Sequence, residues 1–323
     1  MKKIMPFVAL MAAAAVFTGS AFAESFPSRP VRIAVPFPAG GGTDLLARVV
    51  ANALSKKWNQ TVIVENLSGA ASGNVGANEV ARSAPDGYRL LLSPPGPIAL
   101  NRLLYKFMPF DSSKWVPISV IASVPYVLAL RNDFGASNVK ELIAKAKANP
   151  GKFTYASPGV GTVGHLAAKQ FEMLAGIEMT TVPYKGLAPA LNDIFGGHVD
   201  MIFDTGTTSL PMHIGKRLNI IATGSAERWP SLPEVPTIAE SLPGFRAVTW
   251  YAIVAPPGTP AEIADQISRD VAAVVKDPET VDSIKSKLQM DPIGSTNVEA
   301  AKLFEDDTKL WSKVIEQAKI SID

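Results

Sequence analysis

The residue types best suited to chemistry in this chain are glycines and hydroxyls. Pro36-Phe37-Pro38-Ala39-Gly40-Gly41-Gly42-Thr43-Asp44 sets three glycines between a short apolar run and an amphipathic one. Glycine takes backbone angles closed to other residues and lets the main chain come close to a ligand. A helix opening after such a loop presents unpaired N–H groups and its positive dipole end, which together favour an anion. The spacing excludes two nucleotide motifs. A dinucleotide fingerprint needs a glycine where Leu45 stands, although Glu65 lies at a suggestive distance, and a P-loop needs a Gly-Lys-Ser/Thr that is absent. What remains is a backbone nest for an anion, without a side-chain cation, or a tight turn with a purely structural role. Asp44 is suited to capping the helix or to fixing the loop by accepting its N–H groups.

A second loop, Ser157-Pro158-Gly159-Val160-Gly161-Thr162-Val163-Gly164-His165, offers glycine N–H groups and the Ser157 and Thr162 hydroxyls before another helix. His165 falls in that helix's first turn, where it either touches a ligand or bonds the loop backbone. Lys185, in Tyr184-Lys185-Gly186, either pairs with a distal carboxylate or is solvated. Asp204 either binds a ligand ammonium or orders neighbouring loops. Ser93 opens Ser93-Pro94-Pro95-Gly96-Pro97, whose prolines withhold N–H donors and make a stiff, apolar wall. A catalytic set is hard to assemble. The chain has no cysteine, its three histidines (His165, His198, His213) are unclustered, and no G-x-S-x-G, H-E-x-x-H or metal-ligand cluster occurs. The sequence reads as a binder and not an enzyme, with no catalytic residues, no metal and no cofactor.

The elements that must hold these loops alternate. Val31–Val35 reads as a strand, and Leu45, Leu46, Val49, Val50, Ala53 and Leu54 follow at helical spacing. Thr61–Glu65 and Arg89–Ser93 read as further strands, with a helix over Val75–Ala84 between them. Alternation of this kind implies right-handed βαβ units on a parallel sheet. Trp115–Ile121 and Tyr126–Leu130 read as strands separated by a candidate hinge at Ser123-Val124-Pro125. A second α/β block then runs from Val139 to Thr223, and Trp250–Ala255 reads as a second crossing strand. The expected fold is therefore α/β, with two lobes joined by two crossing strands as hinge. Lobe I is expected over residues 24–124 plus 248–323 and lobe II over residues 125–247. Both glycine loops end strands facing the cleft between the lobes, the default ligand site.

Residues 1–23 stand apart. Lys2 and Lys3, the apolar run Ile4–Gly19 and Ala21-Phe22-Ala23 read as a cleaved signal peptide. The expected location is the periplasm. The formal charge is +2, and both leader lysines leave with the peptide, so the mature chain is near neutral. Neutrality argues against a nucleic-acid or membrane-surface partner. An exported chain without cysteine must rely on its hydrophobic core, and 47% apolar residues suit a buried parallel sheet.

The chain resembles the Bug family of periplasmic solute-binding proteins, receptors of tripartite tricarboxylate transporters. The marks, in order, are Pro36-Phe37 with Gly40-Gly41 and Asp44, then Ala84-Pro85-Asp86-Gly87-Tyr88, then Pro158-Gly159 with Gly161-Thr162 and His165-Leu166-Ala167. Val182-Pro183-Tyr184-Lys185-Gly186, Gly196-Gly197-His198-Val199-Asp200, Glu234-Val235-Pro236-Thr237 and Trp250-Tyr251 follow. The resemblance implies a periplasmic-binding-protein type II fold closing on one small carboxylate. It implies ligand contacts from Phe37, Ala39, Gly40, Gly41 and Thr43 on one side and from Ser157, Gly161 and Thr162 on the other. Ser93, His165, Lys185 and Asp204 complete the candidate set. The implied partners are a di-/tricarboxylate or aromatic carboxylate and the membrane components of the transporter, with the receptor itself a monomer. An amino-acid receptor, or a sensor presenting its ligand to a membrane kinase, would use the same lobes. Two loops depart from the family pattern, Asn66-Leu67-Ser68-Gly69 and Ser93-Pro94-Pro95-Gly96-Pro97.

Overall fold

The computed structural model describes residues 26–69, 72–157, 159, 161–184 and 187–322. The leader reading over residues 1–23 lies outside them. The first block is built as its pattern predicts: β1 (Val31–Val35), α1 (Gly42–Trp58), β2 (Val62–Asn66), α2 (Asn74–Ala81) and β3 (Arg89–Ser93), with β1 parallel to both β2 and β3. β1 alternates by the two-residue period of a strand. Val31, Ile33 and Val35 enter one core with Leu46, Val50 and Leu54 of α1, while Ala34 enters the core on the other face. Each such fully buried aliphatic side chain contributes about 1.5–3 kcal/mol.

After β3 the prolines do not leave an irregular wall. Gly96–Leu100 forms a π-helical turn that runs into α3 (Asn101–Leu104). Pro97 falls in its first turn, where a missing N–H costs nothing. β4 (Val116–Leu130) follows as one strand of 15 residues. The two strands expected on either side of Ser123-Val124-Pro125 are one, and this strand exchanges partners at the expected hinge. Residues up to Pro125 pair antiparallel with β9 (Val248–Ala255), and residues from Tyr126 pair with β7 (Met201–Thr205) and β8 (Asn219–Thr223). A proline withholds one ladder donor, and Pro125 does so at the exchange point.

The second block consists of α4 (Val139–Ala148), β5 (Thr154–Ser157), α5 (Val163–Ala175), β6 (Thr180–Pro183), α6 (Leu187–Phe195), β7, α7 (Gly206–Ile214) and β8. Its sheet carries β8 and β7 on the far half of β4, then β5 and β6. The near half carries β9, β3, β1 and β2, with β10 (Asp291–Pro292) also on β4. The result is two lobes whose sheets share β4. The return crossing is made at one level: the Tyr126 N–H donates to the Ala247 carbonyl at 2.9 Å, the Gly224 N–H to the Tyr126 carbonyl at 2.6 Å, and the Ala247 N–H to the Gly224 carbonyl at 2.9 Å. The chain ends through α8 (Ala261–Val275), α9 (Pro278–Asp282) and α10 (Asn297–Gln317). The last opens on a capping box formed by Thr296 and Glu299. Trp250 anchors α10 by donating to Asp307 at 3.0 Å and stacking on Phe304. No described helix is long and apolar enough to cross a membrane.

Candidate functional site

The first glycine loop is tied by Asp44. This carboxylate is 2% exposed. It accepts the Gly40 N–H at 2.9 Å, the Asn66 side-chain amide at 3.0 Å and the Arg48 guanidinium at 3.0 Å. Asn66 also donates to the Phe37 carbonyl, closing the loop on β2. Burial would raise the carboxyl, but bonds from Arg48, Gly40 and Asn66, with the Arg48 charge, hold it below the ordinary carboxylate range. Gly40 takes φ +85°, a turn that strains other residues. Gly41 stands at the N-cap of α1 with no side chain on the helix end. Ala39, Gly40 and Gly41 are exposed, Thr43 is buried, and Phe37 is half-buried.

The second loop is tied by its own side chains. Thr162 caps α5, its hydroxyl accepting the His165 N–H at 3.3 Å and donating to the Gly159 carbonyl at 2.8 Å. The Ser157 hydroxyl reaches the same carbonyl at 3.3 Å. The His165 Nδ1 accepts the Gly161 N–H at 3.1 Å. Burial, with the charge of Lys169, pushes this imidazole down to about 4, so it is neutral and serves as an acceptor. Gly164 permits close packing of α5 on β7: a Cβ there would stand 2.5 Å from the Phe203 carbonyl oxygen.

A cavity of about 230 Å³ lies between the lobes, and the first glycine loop reaches it through Phe37, with Ala39, Gly40, Gly41 and Thr43 outside the lining. Of the candidate residues, Phe37, Gly161 and Thr162 line it, together with Pro94–Pro97 beyond Ser93. Ser93 itself is buried, its hydroxyl on the Pro94 carbonyl. Ser157 and His165 stand behind the loop. Asp204 is buried away from the lining, bonded to the Ser209 hydroxyl at 2.9 Å. Burial raises its carboxyl to about 6. Lys185 lies outside the described residues. The lining also draws on residues that the sequence reading passed over: Ser72, Leu100, Asn101, Leu104, Tyr105, Tyr126, Val163, Thr249 and Ile322. No charged side chain is among the described lining residues. The polar groups are hydroxyls and amides, and the N-terminus of α5 opens into the cavity through Gly161, Thr162 and Val163. Such a surface can take an anion through the helix dipole and the hydroxyls that line it, the Gly161 N–H and the Thr162 hydroxyl being engaged within the loop, and an apolar body by its prolines, leucines and Phe37. Tyr126 stands at the level of the crossing. Burial, with Asp204 and Tyr251 nearby, raises its phenol well above the ordinary range, so it stays protonated.

A family model described as the tripartite tricarboxylate transporter family receptor, TctC, matches residues 46–320. The chain belongs to the TctC receptor family. The family assignment agrees with the resemblance carried by the ordered set of motifs from Pro36 to Tyr251. Curated relatives include the UPF0065 protein in the tcbD-tcbE intergenic region of Pseudomonas sp. (strain P51), 35% identical over 92% of this chain and 89% of the relative. Protein BugT of Bordetella pertussis is 31% identical over 98% of each chain. Among solved structures, R. palustris Rpa4515 with adipate superposes with a TM-score of 0.79 at 35% identity, covering 92% of this chain and 99% of that one. MatC from Rhodopseudomonas palustris with bound malate superposes with a TM-score of 0.73 at 27% identity, covering 90% and 100%. The TctC receptors are binding proteins, and the two-lobed α/β fold is theirs.

Proposed function

We propose that this TctC receptor works in the periplasm, closes its lobes on a small carboxylic acid with an apolar body, and passes it to the membrane components of a tripartite tricarboxylate-type transporter. The observation that carries this reading is the α5 N-terminus, with Gly161 and the Thr162 cap, opening into a cavity whose described lining is neutral and mostly apolar. A lining without charge can take an anion whose desolvation is offset by the helix dipole and by lining hydroxyls. A carboxylate is such an anion, and the relatives solved with adipate and with malate support that class. The cavity is smaller than the roughly 300–1,000 Å³ of drug-sized sites, which favours a short acid. Closure follows from the two-lobed build: lobe I supplies Phe37 and Pro94–Pro97, lobe II supplies Gly161–Val163, and an acid touching both favours the closed population.

Thermal-shift and calorimetric titration with adipate, malate, benzoate and glucose test the reading. An acid present at 100 times its Kd should stabilise the protein by about 2.7 kcal/mol. A shift by glucose with none by any acid overturns the proposal.

A further inference from the structure

The segment that follows α10 returns to the cleft. After the helix, the Ile320 N–H donates to the Ile315 carbonyl. The chain then runs beside Tyr105 in a parallel bridge. The Ile322 N–H donates to the Leu104 carbonyl at 2.8 Å, and the Lys106 N–H donates to the Ile322 carbonyl at 3.3 Å. These two bonds fix Ile322 at the end of α3, and its side chain lines the cavity beside Leu104. From the other lobe, Gly161 approaches so closely that a Cβ there would stand 2.8 Å from Ile322 Cδ1 and 2.9 Å from Leu104 Cδ1. Gly161 takes φ +76°, so both its backbone and the space around it exclude a side chain. The loop that caps α5 therefore rests on Ile322 and Leu104 where the cleft is shut.

We infer that Ile322 is a specificity-determining residue, the lobe I wall that sets the length of acid the closed cleft accepts. The inference rests on the receptor reading above. Ile322 is half-buried and packs against the core shared by the two lobes, so it has a fixed place from which to exclude ligand atoms. Volume on this wall trades directly with ligand volume, because interiors are close-packed. Each methylene that a longer acid buries is worth about fourfold in Kd. Replacing isoleucine by alanine removes three carbons from the wall and leaves the two backbone bonds in place. A larger side chain shortens the space.

The test is a chain-length profile. Kd is measured by calorimetry for the unbranched α,ω-dicarboxylic acids from succinate to azelate, on the wild-type protein and on Ile322→Val, Ile322→Ala and Ile322→Phe. The Ala variant should move the preferred acid two or three methylenes longer and change the ratio of Kd values between the old and new optima about tenfold or more. The Val variant should move it less, and the Phe variant should move it shorter. A general loss of affinity with the order of acids unchanged in all three variants overturns the inference and leaves the receptor reading standing. If the wild-type protein binds no acid of the series, this inference falls, and the wider acid screen above decides the receptor reading separately. The Val variant changes one methyl group and keeps the test readable if a larger change unfolds the protein.

Discussion

Asp204 offers a measurement that isolates one buried charge. The side chain is 5% exposed, and burial lifts its carboxyl from the ordinary 3.8 to about 6 against the pull of the Ser209 hydroxyl and the Thr205 amide. The folded protein thus binds this proton more tightly than the unfolded chain does. The group contributes its full stability below the ordinary carboxylate range, and that contribution is lost as pH rises through about 6. At about 1.4 kcal/mol per pH unit, the span corresponds to about 3 kcal/mol. Asp204→Asn keeps an acceptor for the Ser209 hydroxyl and cannot ionise. Its stability relative to wild type should therefore rise by about 2.4 kcal/mol between pH 4 and pH 7, the rest of the span lying below pH 4, on top of any constant cost of the exchange. Urea unfolding of both proteins at pH 4, 5, 6 and 7 reads this difference. The other shifted groups, among them Asp44, His165, Asp291 and Asp307, are common to both proteins and cancel. Tyr251, pushed up to about 12, and Tyr126 stay neutral over this range. A gap that stays constant from pH 4 to pH 7 refutes the reasoning.

Two further substitutions probe the loop and the crossing. Asp44→Ala removes the acceptor shared by Gly40, Asn66 and Arg48 and should cost about 1.5–3 kcal/mol in urea unfolding at neutral pH. The Asp44 carboxyl is held low, so its stabilisation fades as pH falls below the carboxylate range, and the variant's penalty should shrink there. A penalty that does not shrink, or none at neutral pH, counts against the ties drawn from Asp44. Gly224→Ala would place a Cβ 2.6 Å from the Ala247 carbonyl oxygen and 3.0 Å from that of Tyr126, both main-chain atoms that cannot swing away. It should lower stability by about 1–3 kcal/mol or more, and a melting temperature equal to wild type would show that the three-segment crossing is looser than described.

The first block was legible because its signals are local. β1, the glycine loop and α1 follow from a two-residue alternation, three glycines and a helical apolar period within 30 residues. Asp44 was legible for the same reason, since its bond to Gly40 spans one helical turn. The continuity of β4 through Pro125 is not legible, because proline usually ends a strand and only a partner from beyond residue 247 shows that the ladder changes hands there. α7 is not legible, because Gly206, two threonines and Pro211 are all poor helix formers. The cavity was half legible. Phe37, Gly161 and Thr162 sit in loops that announce themselves, whereas Tyr105, Tyr126 and Ile322 are brought in by contacts across much of the chain, with no neighbouring pattern to mark them.

The shared strand β4 also bears on how the chain reaches its native state. Lobe II is continuous between the two crossings, so its described strands and helices can gather before the rest of the chain has emerged from the membrane. Lobe I is not continuous. Its strands β3 and β4 both wait for β9, which arrives more than a hundred residues after β4 ends. Until then, each offers an unpaired edge of N–H and C=O groups, the template on which aggregates grow. Contacts of such long sequence separation also form slowly. The half-made receptor therefore passes through an interval in which one lobe is finished and the other is sticky. A holdase that covers strand edges should raise its folded yield more than one that catalyses proline isomerisation.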